Sequence, residues 1–175
     1  MTKMKIYEIP EPVLRQKAEK VVIVDQAIRQ TLSDMLETMY AGNGVGLAAN
    51  QVGLLKRLVV IDCAAAEEKP QPLQMVNPEI IAHSENKILH NEGCLSLPRE
   101  YADVERWETV TVRYLDENGI QKTYAADGLL AIAMQHEIDH LDGILFIDYL
   151  SKLKRDRLIT HLEKRRQRER EETCP

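Results

Sequence analysis

Aromatic residues are scarce in this 175-residue sequence, with one Trp and one Phe, so aliphatic side chains must fill its core. Cysteine is scarce too. Cys63, Cys94 and Cys174 form no even set, which excludes a disulfide framework. The opening stretch Met1–Ile6 lacks the apolar character of a secretory signal, and the expected setting is a reducing cytoplasm. No apolar run approaches the length of a membrane span, so no membrane association is expected. Internal repeats, low-complexity tracts and long linkers are absent as well. A single domain is expected, with a body over 1–150 and a basic helix or tail over 151–175 that belongs to it.

What is present is the 44% hydrophobic and 29% charged make-up of an ordinary globular protein. The net charge of −5 conceals an asymmetry. Residues 152–172 hold nine Lys/Arg against five acids, +4, which leaves −9 on the rest of the chain. A basic tail on an acidic body suits docking on a polyanion.

Periodicity gives a coarse outline. Ile9-Pro10-Glu11-Pro12 is extended or turned and leads into a short helical piece at 13–18. Asp25 is placed to cap a helix carrying Ile28, Leu32, Met35, Leu36 and Met39, stopped by Gly42 and Gly44. Residues 54–62 and 74–82 read as strands. Thr109 to Tyr114 alternates, turns at Asp116-Glu117-Asn118-Gly119 and returns to Tyr124, a hairpin. A helix capped by Asp127 and stopped by Gly143 follows, then a short apolar stretch at 144–150 and a last helix capped by Ser151. The expected class is α+β, with mainly antiparallel sheets around the 127–143 helix and a C-terminal helix.

The central helix carries the most informative pentapeptide, His136-Glu137-Ile138-Asp139-His140. Positions four apart share a helix face, so both imidazoles can grip one metal ion, and Glu137 is placed as general base on its water. A hydrolytic metal takes three protein ligands and leaves a position open. One group of zinc proteases places a third His six residues after the second; Gly143 fits that pattern, but Phe146 stands where the His belongs. Another uses a Glu about twenty residues downstream. Glu163 lies there, among Arg and Lys that favour ion pairing. Cys94, in Glu92-Gly93-Cys94-Leu95-Ser96-Leu97-Pro98, is the stronger choice, on irregular backbone leaving a strand. Cys63, ending an apolar strand, reads as a small core residue, and Cys174 as part of a disordered end.

Three segments in this order resemble the peptide deformylases: Gly44-Val45-Gly46-Leu47-Ala48-Ala49-Asn50-Gln51, Glu92-Gly93-Cys94-Leu95-Ser96 and Gln135-His136-Glu137-Ile138-Asp139-His140. The similarity runs from Ile9-Pro10 to about Leu150, and departs at Tyr101, where some relatives carry Arg. The resemblance implies removal of the formyl group from N-formylmethionyl nascent chains, releasing formate. It implies a divalent ion held by Cys94, His136 and His140, with Fe(II) as the cellular metal. A thiolate with two imidazoles also suits Zn, Ni or Co. Glu137 is implied as base and then acid, and the Leu95 N–H and Gln51 amide as donors to the oxyanion.

Gly44 and Gly46 are expected to let backbone approach the substrate. Val45, Leu129, Ile132 and Ala133 are the candidates for an apolar methionine pocket. Leu129, Ile132, Ala133 and His136 fall on one helix face. Asp139 is expected to support a ligand His or to pair with Arg106. His83 and His161 read as solvent-facing, and His90 as bordering the substrate groove. The family's substrate source makes the ribosome the expected polyanion for the basic tail.

Overall fold

The computed structural model of the chain describes residues 3–64 and 69–173. Helices α1 (Gln26–Ala41), α2 (Gly128–Leu141) and α3 (Lys152–Thr173) pack with two antiparallel sheets. The larger holds β1 (Gly46–Ala48), β2 (Leu58–Ile61), β3 (Leu73–His83), β6 (Val110–Leu115) and β7 (Gln121–Ala126), in the order β1-β2-β3-β6-β7. The smaller is a hairpin of β4 (Lys87–Cys94) and β5 (Leu97–Trp107). The class is α+β with antiparallel sheets and a C-terminal helix, as the periodicity indicates. Among the described residues no helix is long and apolar enough to cross a membrane.

Helix α1 starts where expected. The Asp25 carboxylate accepts from the Ile28 N–H at 2.9 Å, and Ile28, Leu32, Met35, Leu36 and Met39 are buried. The β6–β7 turn is closed by Asp116, whose Oδ1 accepts from the Asn118 and Ile120 N–H groups at 2.9 Å. Ser151 accepts from the Lys154 N–H at the start of α3.

Other expectations need correction. The strand expected over 54–62 shrinks to Leu58–Ile61, because Gly53 turns in the left-handed region and Lys56 pairs with Glu19 as an isolated bridge. The helical piece at 13–18 is a single 3₁₀ turn over Pro12–Arg15. Asp127 precedes α2, but its side chain makes no cap bond; only its carbonyl accepts, from the Ala131 N–H at 3.1 Å. Residues 87–107, where only irregular backbone around Cys94 is legible, form the long β4–β5 hairpin, and Cys94 is the last residue of its first strand. In β3 a register shift surrounds Pro78, which has no N–H to offer the ladder.

Helix α2 is the hub. Residues Ala131–Ile138 are buried, and the helix packs on β1, β2, β3, β5 and β6. Cys63 is half-buried against the same core, and burial pushes its thiol up to about 11, so it stays protonated. Helix α3 closes a second core through Leu158 and Leu162, which join Ile9, Leu14, Phe146 and Ile147. Cys174 lies outside the described residues.

Candidate metal centre

Helix α2, the end of β4 and the short turn after β1 meet at one place. The 3.6-residue period of α2 stacks His136 over His140, and the β4–β5 turn brings Cys94 to them. Their ligand atoms all lie within 4.8 Å of one another. His140 Nε2 is 3.2 Å from both Cys94 Sγ and His136 Nε2. Two neutral imidazole nitrogens face each other favourably at that distance only with a proton or cation between them. Sulfur with two imidazoles is also the donor chemistry that suits Zn, Fe(II), Ni or Co. The residues fit a divalent metal.

Glu163 does not take part. It is exposed on α3 and borders a separate cavity with Ile9 and Arg166. Phe146 lies beside the site without a donor, its ring centroid 6.2 Å from that of His136.

Glu137, next to a ligand candidate, is buried, and its Oε2 has no hydrogen-bond partner among the described residues. Burial pushes its carboxyl up to about 7; His136 opposes that shift and Glu92 adds to it. Gly46 permits this position, since a Cβ there would stand 2.4 Å from Glu137 Oε1. Gln51 sits in a 3₁₀ turn over Ala49–Val52, and its Oε1 accepts from the Ala48 N–H at 2.8 Å. The amide orientation is thereby set, and Nε2 faces Cys94 Sγ at 3.4 Å and Ser96 Oγ at 3.2 Å.

A cavity of about 480 Å³ opens beside these groups. Gly44, Val45, Gly46, Gln51, Cys94 and Leu95 line one side; Leu129, Ile132, Ala133, His136 and Glu137 line another. Ile132 and Ala133 are buried at its floor, whereas Val45 and Leu129 are exposed at its mouth. His140 is not among the residues that line it. His90 borders the cavity as expected, and so does Tyr101, whose ring covers Gly93.

The surroundings of the ligand candidates were less legible. Glu92, in the same motif as Cys94, accepts from Arg106 through both oxygens at 2.6 and 3.0 Å and meets His136 Nδ1 at 2.8 Å. Burial raises the Glu92 carboxyl, but Arg106 and His136 outweigh it and hold it at about 2. Of the two roles open to Asp139, the structure has it paired with Arg106, at 2.6 Å. His83 is exposed but stacks on Trp107, centroids 3.8 Å apart. His161 is exposed as expected, yet its Nδ1 meets the buried Glu100 carboxylate at 2.9 Å.

Known proteins share this arrangement of elements. A family model described as Polypeptide deformylase matches residues 3–156. A peptide deformylase of Rhizobium meliloti is 49% identical over 164 residues, 94% of each chain. Among solved structures, a peptide deformylase of Ehrlichia chaffeensis in complex with actinonin superposes with a TM-score of 0.90 at 41% identity, covering 94% of this chain and 98% of that one. One from Legionella pneumophila gives 0.90 at 40% identity, covering 99% and 100%.

Proposed function

The chain belongs to the polypeptide deformylase family, and from that premise we propose that it hydrolyses the formyl group from the N-terminal formylmethionine of nascent polypeptides, releasing formate. The observation that carries this reading is the convergence of Cys94, His136 and His140 beside Glu137, Gln51 and one apolar-floored cavity.

The chemical task is hydrolysis of an unactivated amide near neutral pH. Cys94, His136 and His140 would hold the divalent ion, Fe(II) in the cell, with Zn, Ni or Co as substitutes. When bound, the ion supplies Lewis acidity that makes a water deprotonable near neutral pH. Glu137 accepts that proton and delivers it to the nitrogen of the departing amine, acting as base and then as acid. Burial raises its carboxyl and a bound cation opposes that rise, so the group can both take and return a proton.

Charge develops on the formyl oxygen as water adds. The Gln51 side-chain amide and the Leu95 backbone N–H are the donors to it. Ala48 fixes the carbonyl end of Gln51, so its Nε2 stays beside Cys94 and turns one N–H from its present partners to the oxyanion. The methionine side chain enters between Val45 and Leu129 and rests on Ile132 and Ala133. Gly44 and Gly46 keep that wall thin enough for the peptide backbone to approach.

The working place of the enzyme is the cytoplasm, at the ribosome. Lys154, Arg157, Lys164 and Arg168 are exposed and follow one stripe of α3, whereas Arg165 and Arg166 are engaged with Glu100 and Glu8. The stripe is the surface offered to ribosomal RNA, and binding through it weakens with salt.

The test is formate release from a formyl-Met peptide by protein loaded anaerobically with Fe(II) or Ni(II). Release that depends on the metal supports the reading. No release by fully loaded protein refutes it.

A further inference from the structure

The two imidazoles of the metal centre are not supported alike. His140 Nδ1 is buried and has no hydrogen-bond partner among the described residues. His136 Nδ1 meets Glu92, and behind Glu92 the contacts continue toward the surface. The Arg106 guanidinium donates to both oxygens of Glu92 and, through Nη1, to Asp139 Oδ2 at 2.6 Å. The Tyr149 hydroxyl donates to that same Asp139 oxygen at 2.8 Å, and Arg106 Cζ lies 4.6 Å from the centre of the Tyr149 ring.

This chain of contacts joins the 3₁₀ turn over Phe146–Tyr149 to α2, β5 and β4 before it ends on His136. Its chemistry has a direction. A planar guanidinium that spans a carboxylate fixes the carboxylate plane. A carboxylate accepting from Nδ1–H fixes the imidazole tautomer and aims the Nε2 lone pair forward. Arg106 is 3% exposed, so each of its donors must find a partner within the protein. Asp139 supplies one for Nη1 and is itself held from outside by Tyr149. Two carboxylates against one guanidinium also leave one net negative charge behind a cation site.

Resting on the ligand assignment above, we propose that Asp139 and Tyr149 are positioning residues. They form the outer half of a lock that, through Arg106 and Glu92, makes His136 the rigid imidazole of the metal centre and leaves His140 the compliant one. Tyr149 is 51% exposed, so the lock ends where solvent reaches it, and removing the hydroxyl leaves the ring packed on Arg106.

The experiment loads full-length wild type, Tyr149→Phe, Asp139→Asn and Cys94→Ser with Co(II). Affinity is measured by competition with a chromophoric chelator, and the visible absorption of the bound ion is recorded. Asp139→Asn should bind Co(II) on the order of 10-fold more weakly, with a smaller loss for Tyr149→Phe. Both should shift the absorption bands while far-UV circular dichroism stays unchanged. Wild-type affinity and an unshifted spectrum in a folded Tyr149→Phe protein overturn the lock, even if Asp139→Asn fails to fold. Wild type that binds Co(II) no better than Cys94→Ser overturns the ligand assignment itself, and the lock with it.

Discussion

Replacing Gly46 with Ala probes how closely the backbone of β1 approaches the acid/base. The added Cβ would lie 2.4 Å from Glu137 Oε1, 2.8 Å from Cδ and 2.9 Å from Cγ. Ordinary contact begins near 3.4 Å, so the carboxylate must retreat by about 1 Å. Glu137 has little else to yield, because it is buried on α2 and α2 packs directly on β1. Gly46 lies in a strand and outside the left-handed region, so Ala adds no backbone strain. The lower entropy of the unfolded chain then offsets part of the crowding, by about 0.4–1 kcal/mol.

The effect should therefore fall on the chemistry. A reacting group misplaced by about 1 Å loses on the order of 100-fold in rate, roughly 2.7 kcal/mol of barrier. Formate release at saturating formyl-Met peptide should drop by that factor, with KM and metal content close to wild type and little change in Tm. Near-wild-type kcat in Gly46→Ala would refute the close approach of backbone and base. Loss of metal together with activity would show that Gly46 shapes the ligand set instead.

Glu137→Gln keeps the shape but not the proton acceptor; turnover should fall by about 10²- to 10⁴-fold with metal still bound, and loss of metal on elemental analysis would make Glu137 structural. Deleting the chain after Ser151 should weaken ribosome association in a salt-dependent way in sedimentation assays while sparing short-peptide turnover at low temperature. The same deletion uncovers the core that Leu158 and Leu162 close, at about 1.5–3 kcal/mol each, so Tm should fall by on the order of 10 °C; an unchanged Tm would contradict that packing. Asp62 reports on acid stability. Burial raises its carboxyl, but the Tyr40 hydroxyl and the Ala64 and Gln71 N–H groups outweigh burial and lower it. Its stabilisation is present above the ordinary carboxylate pKa and is lost as pH falls below about 4. Tyr40→Phe, which removes one donor, should make the loss of Tm between pH 5 and pH 3 shallower, and parallel curves for the two proteins would contradict this.

The ligand helix was legible in the sequence because its information is local. His136, Glu137 and His140 fall on one turn, and the apolar spacing around them gives the helix that presents them. Asp25 and the Asp116–Gly119 turn are legible for the same reason, since both are satisfied within four residues. The β4–β5 hairpin was not. Its inward positions include the charged Glu92, Glu100 and Arg106, its outward ones include Leu89 and Tyr101, and Gly93 and Pro98 interrupt the alternation near its turn. The hydrophobic signal that marks β6 is therefore missing there. Of the support behind His136, the Arg106–Asp139 pair is anticipated as one of two roles for Asp139, whereas Glu92, which reaches His136 across 44 residues, is not. Asp127 illustrates the opposite error: a residue of the right type precedes the helix, but only its carbonyl is used.

The most direct measurement follows metal and formate together in wild type, Cys94→Ser and Glu163→Gln, each purified without oxygen and loaded with Fe(II). Wild type and Glu163→Gln should each hold one ion per chain and release formate from a formyl-Met peptide. Cys94→Ser should lose metal affinity and turnover together. Full metal and turnover in Cys94→Ser, or fully loaded wild type that releases no formate, would contradict the reading of this site.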